Sequence, residues 1–333
     1  MRELVSVASD GAELFVDGAV VTVGDLEPDR AYELHGIGFT TLEDLGPRIT
    51  TFATANDVHL GETVCGHLEG AEEFEELRAD PGAPPYPDVM NAAVIEDMAV
   101  IDPQAVVVKG DLTDDGEDED YARFLELWDG RFGDRLMHVR GNHDCYRGQS
   151  FAAWSHQERT LDGVTLAVLD TSKPHHASGF VHAEQLDWLD ELGARADRRV
   201  VVLGHHPVWN PGRDQRSEGF QGIAPEDSAA LIEVFARRPS LVAYLCGHTH
   251  RNCRQLIGGI PFVEVACVKD FPGAWAEYRV HERGIAQVFH RATSPDAVAW
   301  AERTRGMFAG FYGPYAMGEL ADRSFVIPDR ISG

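Results

Sequence analysis

Residues 241–250, LVAYLCGHTH, end an apolar run on two histidines separated by one threonine. In an extended chain the side chains at i and i+2 point to one side, so His248 and His250 are expected to face one spot just past a strand end. Two imidazoles facing one point suggest a metal ion. Taken alone, an H-x-H pair is equally at home as surface or core histidines, and partners elsewhere must decide. Such partners recur: Asp57 and His59 in NDVH, Asp111 in KGD, Asn142 and His143 in GNHD, His205 and His206 in GHHP. Mixed carboxylate, imidazole and amide groups suit Mn, Fe(II), Zn or Co, and the set lacks the thiolates of a structural zinc centre.

Each of these short motifs follows an apolar run. ITTFATA, QAVVVKG, RLMHVRG, VVVLG and LVAYLCG read as buried strands, and VTLAVLDTS adds another. Between them, Met90, Val94 and Met98 at i+4 spacing predict a helix over 88–101, and further helices are expected over about 117–131, 183–194 and 227–237. Alternating strands and helices make an α/β layered domain, in which ligands bind beyond the carboxyl ends of the strands. Residues 1–50 read as short strands with turn signals, a small β appendage. Residues 65–87 form a long loop, and β-rich segments follow residue 257. Residues 292–333 form an aromatic and glycine-rich tail, so the expected division is 1–50, 51–291 and 292–333.

The formal net charge is −26, which opposes binding of nucleic-acid polymers or anionic membranes, and no basic run interrupts it. The five cysteines are scattered and lack C-x-x-C spacing, as expected of reduced thiols in the cytoplasm. The first twenty residues lack the apolar core of a secretion signal, and no stretch of 18 apolar residues occurs.

In this order, D-x-H, G-D, G-N-H-D, G-H and G-H-x-H resemble the calcineurin-like metallophosphoesterase superfamily over residues 50–290, and GNHD with GHHP and GHTH is most similar to its class III cyclic-nucleotide phosphodiesterase branch. The resemblance implies a four-layer α/β/β/α sandwich and a binuclear site with two divalent ions. It assigns Asp57, His59 and His250 to one ion, Asn142, His205 and His248 to the other, and Asp111 as the bridge. His143 becomes the non-ligand histidine that contacts phosphate and protonates the leaving group, with Asp114 its acidic partner. The implied reaction is hydrolysis of a small phosphate ester by a metal-bridging hydroxide, the substrate being a cyclic nucleotide or a glycerophosphodiester. A phosphomonoesterase and a non-catalytic scaffold are the alternatives; a nuclease is opposed by the charge. Asn56 stands where the family commonly has Ser or Asp. Residues 1–50 resemble an abbreviated form of the fibronectin-like β-sandwich that precedes the catalytic domain of purple acid phosphatases.

Other residues carry weaker expectations. His206, next to a ligand in an extended segment, is expected to face away from it, as a substrate contact or a structural group. Arg147, Trp209 and Arg213 lie in loops after GNHD and GHHP and are candidates to hold the rest of the ester. Cys65 and His67 follow the first ligand loop. The acidic run 114–120 suits a helix N-terminus. The tail segment RGMFAGFYGPYAMGEL is too apolar to stand exposed and must be covered, either beside the metal cleft or in a homodimer interface.

Overall fold

The chain begins with small antiparallel units. β1 (Arg2–Val7), β2 (Ala12–Val16) and β3 (Ala19–Val23) form a three-stranded sheet, and β4 (Ala31–Leu34) pairs with β5 (Ile37–Thr40) as a hairpin. This computed structural model describes residues 1–67, 74–210, 212 and 221–330.

The remaining strands build two six-stranded sheets. β6 (Arg48–Ala55), β7 (Ala105–Lys109) and β8 (Leu136–Val139) run parallel on one side of the first. The second sheet takes β9 (His156–Leu161), β10 (Val164–Leu169), β11 (Arg199–Leu203), β12 (Leu241–Cys246), β13 (Cys253–Ile257) and β14 (Ile260–Glu264), in the order β13-β14-β12-β11-β10-β9. The chain then returns to the first sheet with β15 (Ala274–His281), β16 (Gly284–Arg291) and β17 (Phe325–Pro328), giving the order β17-β16-β15-β6-β7-β8.

β7, β10, β11, β12 and β14 are buried along their whole length, the pattern of strands covered on both faces. One face of each sheet meets the other in an apolar layer that includes Phe52, Val107, Leu166, Val201, Leu245 and Ile327. Helices Tyr86–Ile101 and Pro295–Thr304 cover the outer face of the first sheet, where Tyr86 stacks on Trp300 at 4.2 Å. Helices Ala183–Arg195 and Pro225–Arg237 cover the outer face of the second through Leu189, Leu192, Leu231, Val234 and Phe235. The result is a four-layer α/β/β/α sandwich.

Two elements depart from the sequence reading. The helix expected over 117–131 is α-helical over Asp118–Phe124 and Gly130–Phe132, with π geometry over Leu125–Asp129 between them. The tail is more ordered than its glycines suggested: it forms helix Pro295–Thr304, short helices Tyr312–Met317 and Leu320–Arg323, and finally β17, whose Phe325 and Ile327 enter the layer between the sheets. Pro295 at the first helical turn and the Ser294 hydroxyl accepting from Ala297 N start the first of these. No helix among the described residues is long and apolar enough to cross a membrane.

Candidate metal centre

The loops after β6, β7, β8, β11 and β12 open at one end of the sandwich, and their ligand-type side chains converge there. Asp57, His59, Asp111 and His250 place their ligand atoms within 4.8 Å of one another. Beside them, Asn142 Oδ1 lies 3.1 Å from His205 Nε2 and 2.9 Å from His248 Nδ1. Asp111 faces both groups: its Oδ2 is 3.5 Å from His59 Nε2 and 3.3 Å from His205 Nε2.

Local backbone explains how side chains from tight loops reach one centre. Asp57, His59, Asp111, His248 and His250 all have positive φ, between 44° and 73°, a region that costs non-glycine residues energy and that recurs at functional sites. Glycine directly precedes Asp111, Asn142, His205 and His248, for a steric reason that two of these glycines illustrate. A Cβ on Gly110 would run into the His205 ring, and one on Gly141 into Asp111. Asp144 then locks two loops together by accepting hydrogen bonds from Leu112 N, Thr113 N, Thr113 Oγ1 and Gly141 N.

The left-handed turns change one expectation. His248 and His250 are not in an extended segment and do not face a single spot; His248 joins Asn142 and His205, while His250 Nε2 turns to Asp57 Oδ1 at 3.5 Å. His206 also differs. Residues 205–206 lie in a bend, so its ring stays 4.7 Å from that of His248, fully buried, with Nδ1 against Thr171 Oγ1 at 2.9 Å. It is not among the residues lining the cleft above the cluster.

The electrostatics describe a site built for positive charge. Burial disfavours the charged ring of His59, yet the carboxylates of Asp111 and Asp114 raise it to about 10; His205, likewise opposed by burial, is raised to about 9 by Asp111 and Asp57. Asp111 is held well below the usual carboxylate range, its burial outweighed by His205 and His143. His248, buried and beside His205, is pushed down to about 3. Neither ring nitrogen of buried His59 has a hydrogen-bond partner among the described residues. Buried imidazole nitrogens left without partners beside the carboxylates of Asp57 and Asp111 fit divalent cations.

His143 lies at the rim. Its Nδ1 donates to the backbone carbonyl of Asp114 at 2.5 Å, while the Asp114 carboxylate is 3.8 Å away and equally far from His59 Nδ1. The other ring edge is left for the cleft, which has a volume of about 820 Å³ and is lined in part by His59, Asp114, His143, His248 and His250.

Arg147 does not reach this cleft; it is exposed and ion-paired with Asp115 and Glu117. Trp209 is buried, with its backbone N–H on Ser228 Oγ, and Arg213 lies outside the described residues. Cys65 is buried with its thiol 3.5 Å from Asp270, whereas exposed His67 lines the cleft and pairs with Glu76 at 2.8 Å.

Sequence reasoning passed over Glu62, Lys269 and Asp270; Tyr312 and Tyr315 belong to the tail segment expected beside the metal cleft or in a homodimer interface, and both line the cleft. Lys269 Nζ is buried against both Glu62 oxygens, at 2.5 and 2.7 Å. Tyr312 donates to Asp270 Oδ1 at 2.6 Å, and Tyr315 to Thr249 O at 3.0 Å. Glu62 lies far along the chain from Lys269 and Asp270, and no local spacing marks them.

A fold of this architecture with ligand-type residues at these strand ends defines a metallophosphoesterase. Residues 50–252 match the calcineurin-like phosphoesterase family, and the chain belongs to it. It is 32% identical over 171 residues to the cAMP/cGMP dual specificity phosphodiesterase of Mycobacterium tuberculosis, covering 48% of this chain and 52% of that protein. It is 30% identical over 161 residues to a glycerophosphodiester phosphodiesterase of Enterobacter lignolyticus, covering 44% and 56%. The chain thus spans little more than half the length of these relatives. A dimetal phosphatase from Danio rerio shares the fold, with a TM-score of 0.58, 15% identity and coverage of 74% of this chain and 98% of that one. Membership in this family implies divalent metal ions, and the cluster described above is a site able to hold them.

Proposed function

We propose that the chain is a binuclear metal-dependent phosphodiesterase acting on a small soluble ester, a cyclic nucleotide or a glycerophosphodiester. The supporting observation is the convergence of Asp57, His59 and His250 beside Asn142, His205 and His248, with Asp111 facing both groups. In this reading the first trio would hold one ion and the second trio the other, with Asp111 placed to serve both. Two divalent ions so held supply Lewis-acid polarisation of the phosphoryl group and a water acidified enough to act as nucleophile near neutral pH. The chain's own residues do the rest. His143, fixed through Nδ1–H on the Asp114 carbonyl, is neutral with a bare Nε2; as the imidazolium, a form that burial disfavours and the Asp111 carboxylate favours, it would give the Nε2 proton to the leaving oxygen. His206, held by Thr171, packs against the His248 ring, with a ligand-type atom within 4.8 Å of those of His205 and His248.

The names of the two relatives support the substrate class, one acting on cyclic nucleotides and one on glycerophosphodiesters. The division at residues 50 and 291 belongs to the same proposal, with 51–291 as the catalytic unit. The five free, buried cysteines support a reducing, cytoplasmic setting. Assay of protein loaded with Mn, Fe(II), Zn or Co against cyclic nucleotides, glycerophosphodiesters and mono- and bis-aryl phosphates tests the reading. Diester turnover with two ions per chain is expected. Turnover of monoesters alone favours a phosphomonoesterase, and no turnover with two ions bound favours a scaffold.

A further inference from the structure

The cleft above the metal cluster has a second wall that lies outside the family-matched segment. Met307, Phe308, Tyr312 and Tyr315 line the cleft together with Glu62 and Lys269. This segment has two sides. Met307, Tyr312, Ala316 and Met317 are buried in the core under the first sheet, while Phe308 and Tyr315 stay partly open to the cleft.

Two sets of hydrogen bonds fix the segment to the loop carrying His248 and His250, and a third ties it to Asp270 in the loop after β14. Tyr315 donates to Thr249 O, the carbonyl between the two histidines, and Asn252 donates through its backbone N to Ala316 O and through Nδ2 to the carbonyls of Ala316 and Met317. Tyr312 donates to Asp270, whose other oxygen lies 4.0 Å from His250 Nδ1. The wall is therefore positioned by the same loop that positions two candidate ligands.

Phe308 is presented at a conformational cost. It and Ala309 are consecutive non-glycine residues at positive φ, 53° and 55°, in a segment where glycines stand nearby at 306 and 310. A bulky aromatic in this region is an outlier, and such strain persists where the surroundings impose it. Here the ring is held edge-on between Phe74 at 5.4 Å and Tyr312 at 5.9 Å.

We infer that the C-terminal segment is the specificity wall of this site, and that Phe308 selects phosphodiesters whose alcohol portion carries a flat ring over those carrying a small polyol. The inference rests on the phosphodiesterase reading above. A cleft of about 820 Å³ has room for such a group beside the metal cluster. The Phe308 ring rewards a flat ring through stacking and itself offers a polyol no hydrogen-bond partner.

The test compares the full-length, metal-loaded protein with Phe308→Ala and Phe308→Leu, the second keeping apolar bulk without the ring. Substrates are a purine cyclic nucleotide, bis(4-nitrophenyl) phosphate and glycerophosphoglycerol. Both variants are expected to hold as much metal as the parent by elemental analysis. Their kcat/KM ratio of ring-bearing to glycerol diester should fall roughly 5- to 150-fold, mainly through KM, the range that loss of one stacking contact gives. An unchanged ratio in a folded, metal-loaded variant overturns the wall. If the parent cleaves none of the three, the functional reading fails by itself. Calorimetric binding of a nucleoside monophosphate against inorganic phosphate to the same proteins then decides the wall: a selective loss of nucleotide affinity upholds it, and equal affinities refute it.

Discussion

At the residue scale the proposed function gives Asp111, Asp144 and the rim histidine separable jobs. Asp111 faces both ligand groups, so Asp111→Ala is expected to lose metal from both positions. His143→Ala should keep both ions and lose roughly 10²- to 10⁴-fold in kcat, most with poor leaving groups, because only proton supply is removed. Metal analysis beside turnover of esters graded by leaving-group acidity checks both, and metal loss in His143→Ala equal to that of Asp111→Ala would refute the assigned role. Asp144 gives a stability prediction. Its removal leaves the N–H groups of Leu112, Thr113 and Gly141 buried and unpaired, so Asp144→Ala should cost roughly 3 kcal/mol or more in urea unfolding, at about 1–3 kcal/mol per orphaned group. The ligand-type residues were legible because their chemistry is rare and each follows an apolar run. Glu62 and Lys269 were not, because only tertiary folding brings positions 62 and 269 together.

At the element scale, the N-terminal strands are latched to the sandwich by buried charge. His290, on β16, sits between Glu13 of β2 at 2.9 Å and Glu277 of β15 at 3.4 Å, with Arg279 and Arg48 also on Glu277. Burial lowers its affinity for a proton, but the two carboxylates outweigh this and raise it to about 9. Since the folded value lies above the unfolded value of about 6.5, the latch contributes fully below pH 6.5 and is lost as pH rises through 9. The urea midpoint of the parent should therefore fall between pH 6.5 and 9.5 by more than that of His290→Gln; parallel curves would contradict this account. The same scale shows why some strands escaped sequence reading. β9, HQERTL, alternates exposed and half-buried residues at a sheet edge and carries no apolar signal, and β17 is four residues ending in proline. The left-handed ligand turns were equally hidden, because an extended-chain rule places i and i+2 together wherever it is applied.

At the scale of the whole molecule, the acidic surface and the metal cluster act at different ranges. With a net charge of −26, an anionic ester approaches against a repulsive field that salt screens within about 10 Å at 0.1 M. Its kcat/KM should rise with monovalent salt, by up to about tenfold, and a fall would show that local positive charge governs the approach. The edge strand matters globally too. Deleting residues from 324 onward strips Phe325 and Ile327 from the layer between the sheets, about 1.5–3 kcal/mol each, and should lower the thermal midpoint markedly. β6 and β15 carry a further consequence, for the chain as it is made. β6 pairs on one side with β7, but its other neighbour is β15, more than two hundred residues later. At ribosomal rates that edge waits on the order of ten seconds or more without its partner, an apolar strand open to any other nascent chain. Whether the cell obtains active protein is then partly a matter of who guards that edge in the meantime, and expression with and without added chaperone capacity should differ in soluble yield far more than in the properties of the molecules that finish.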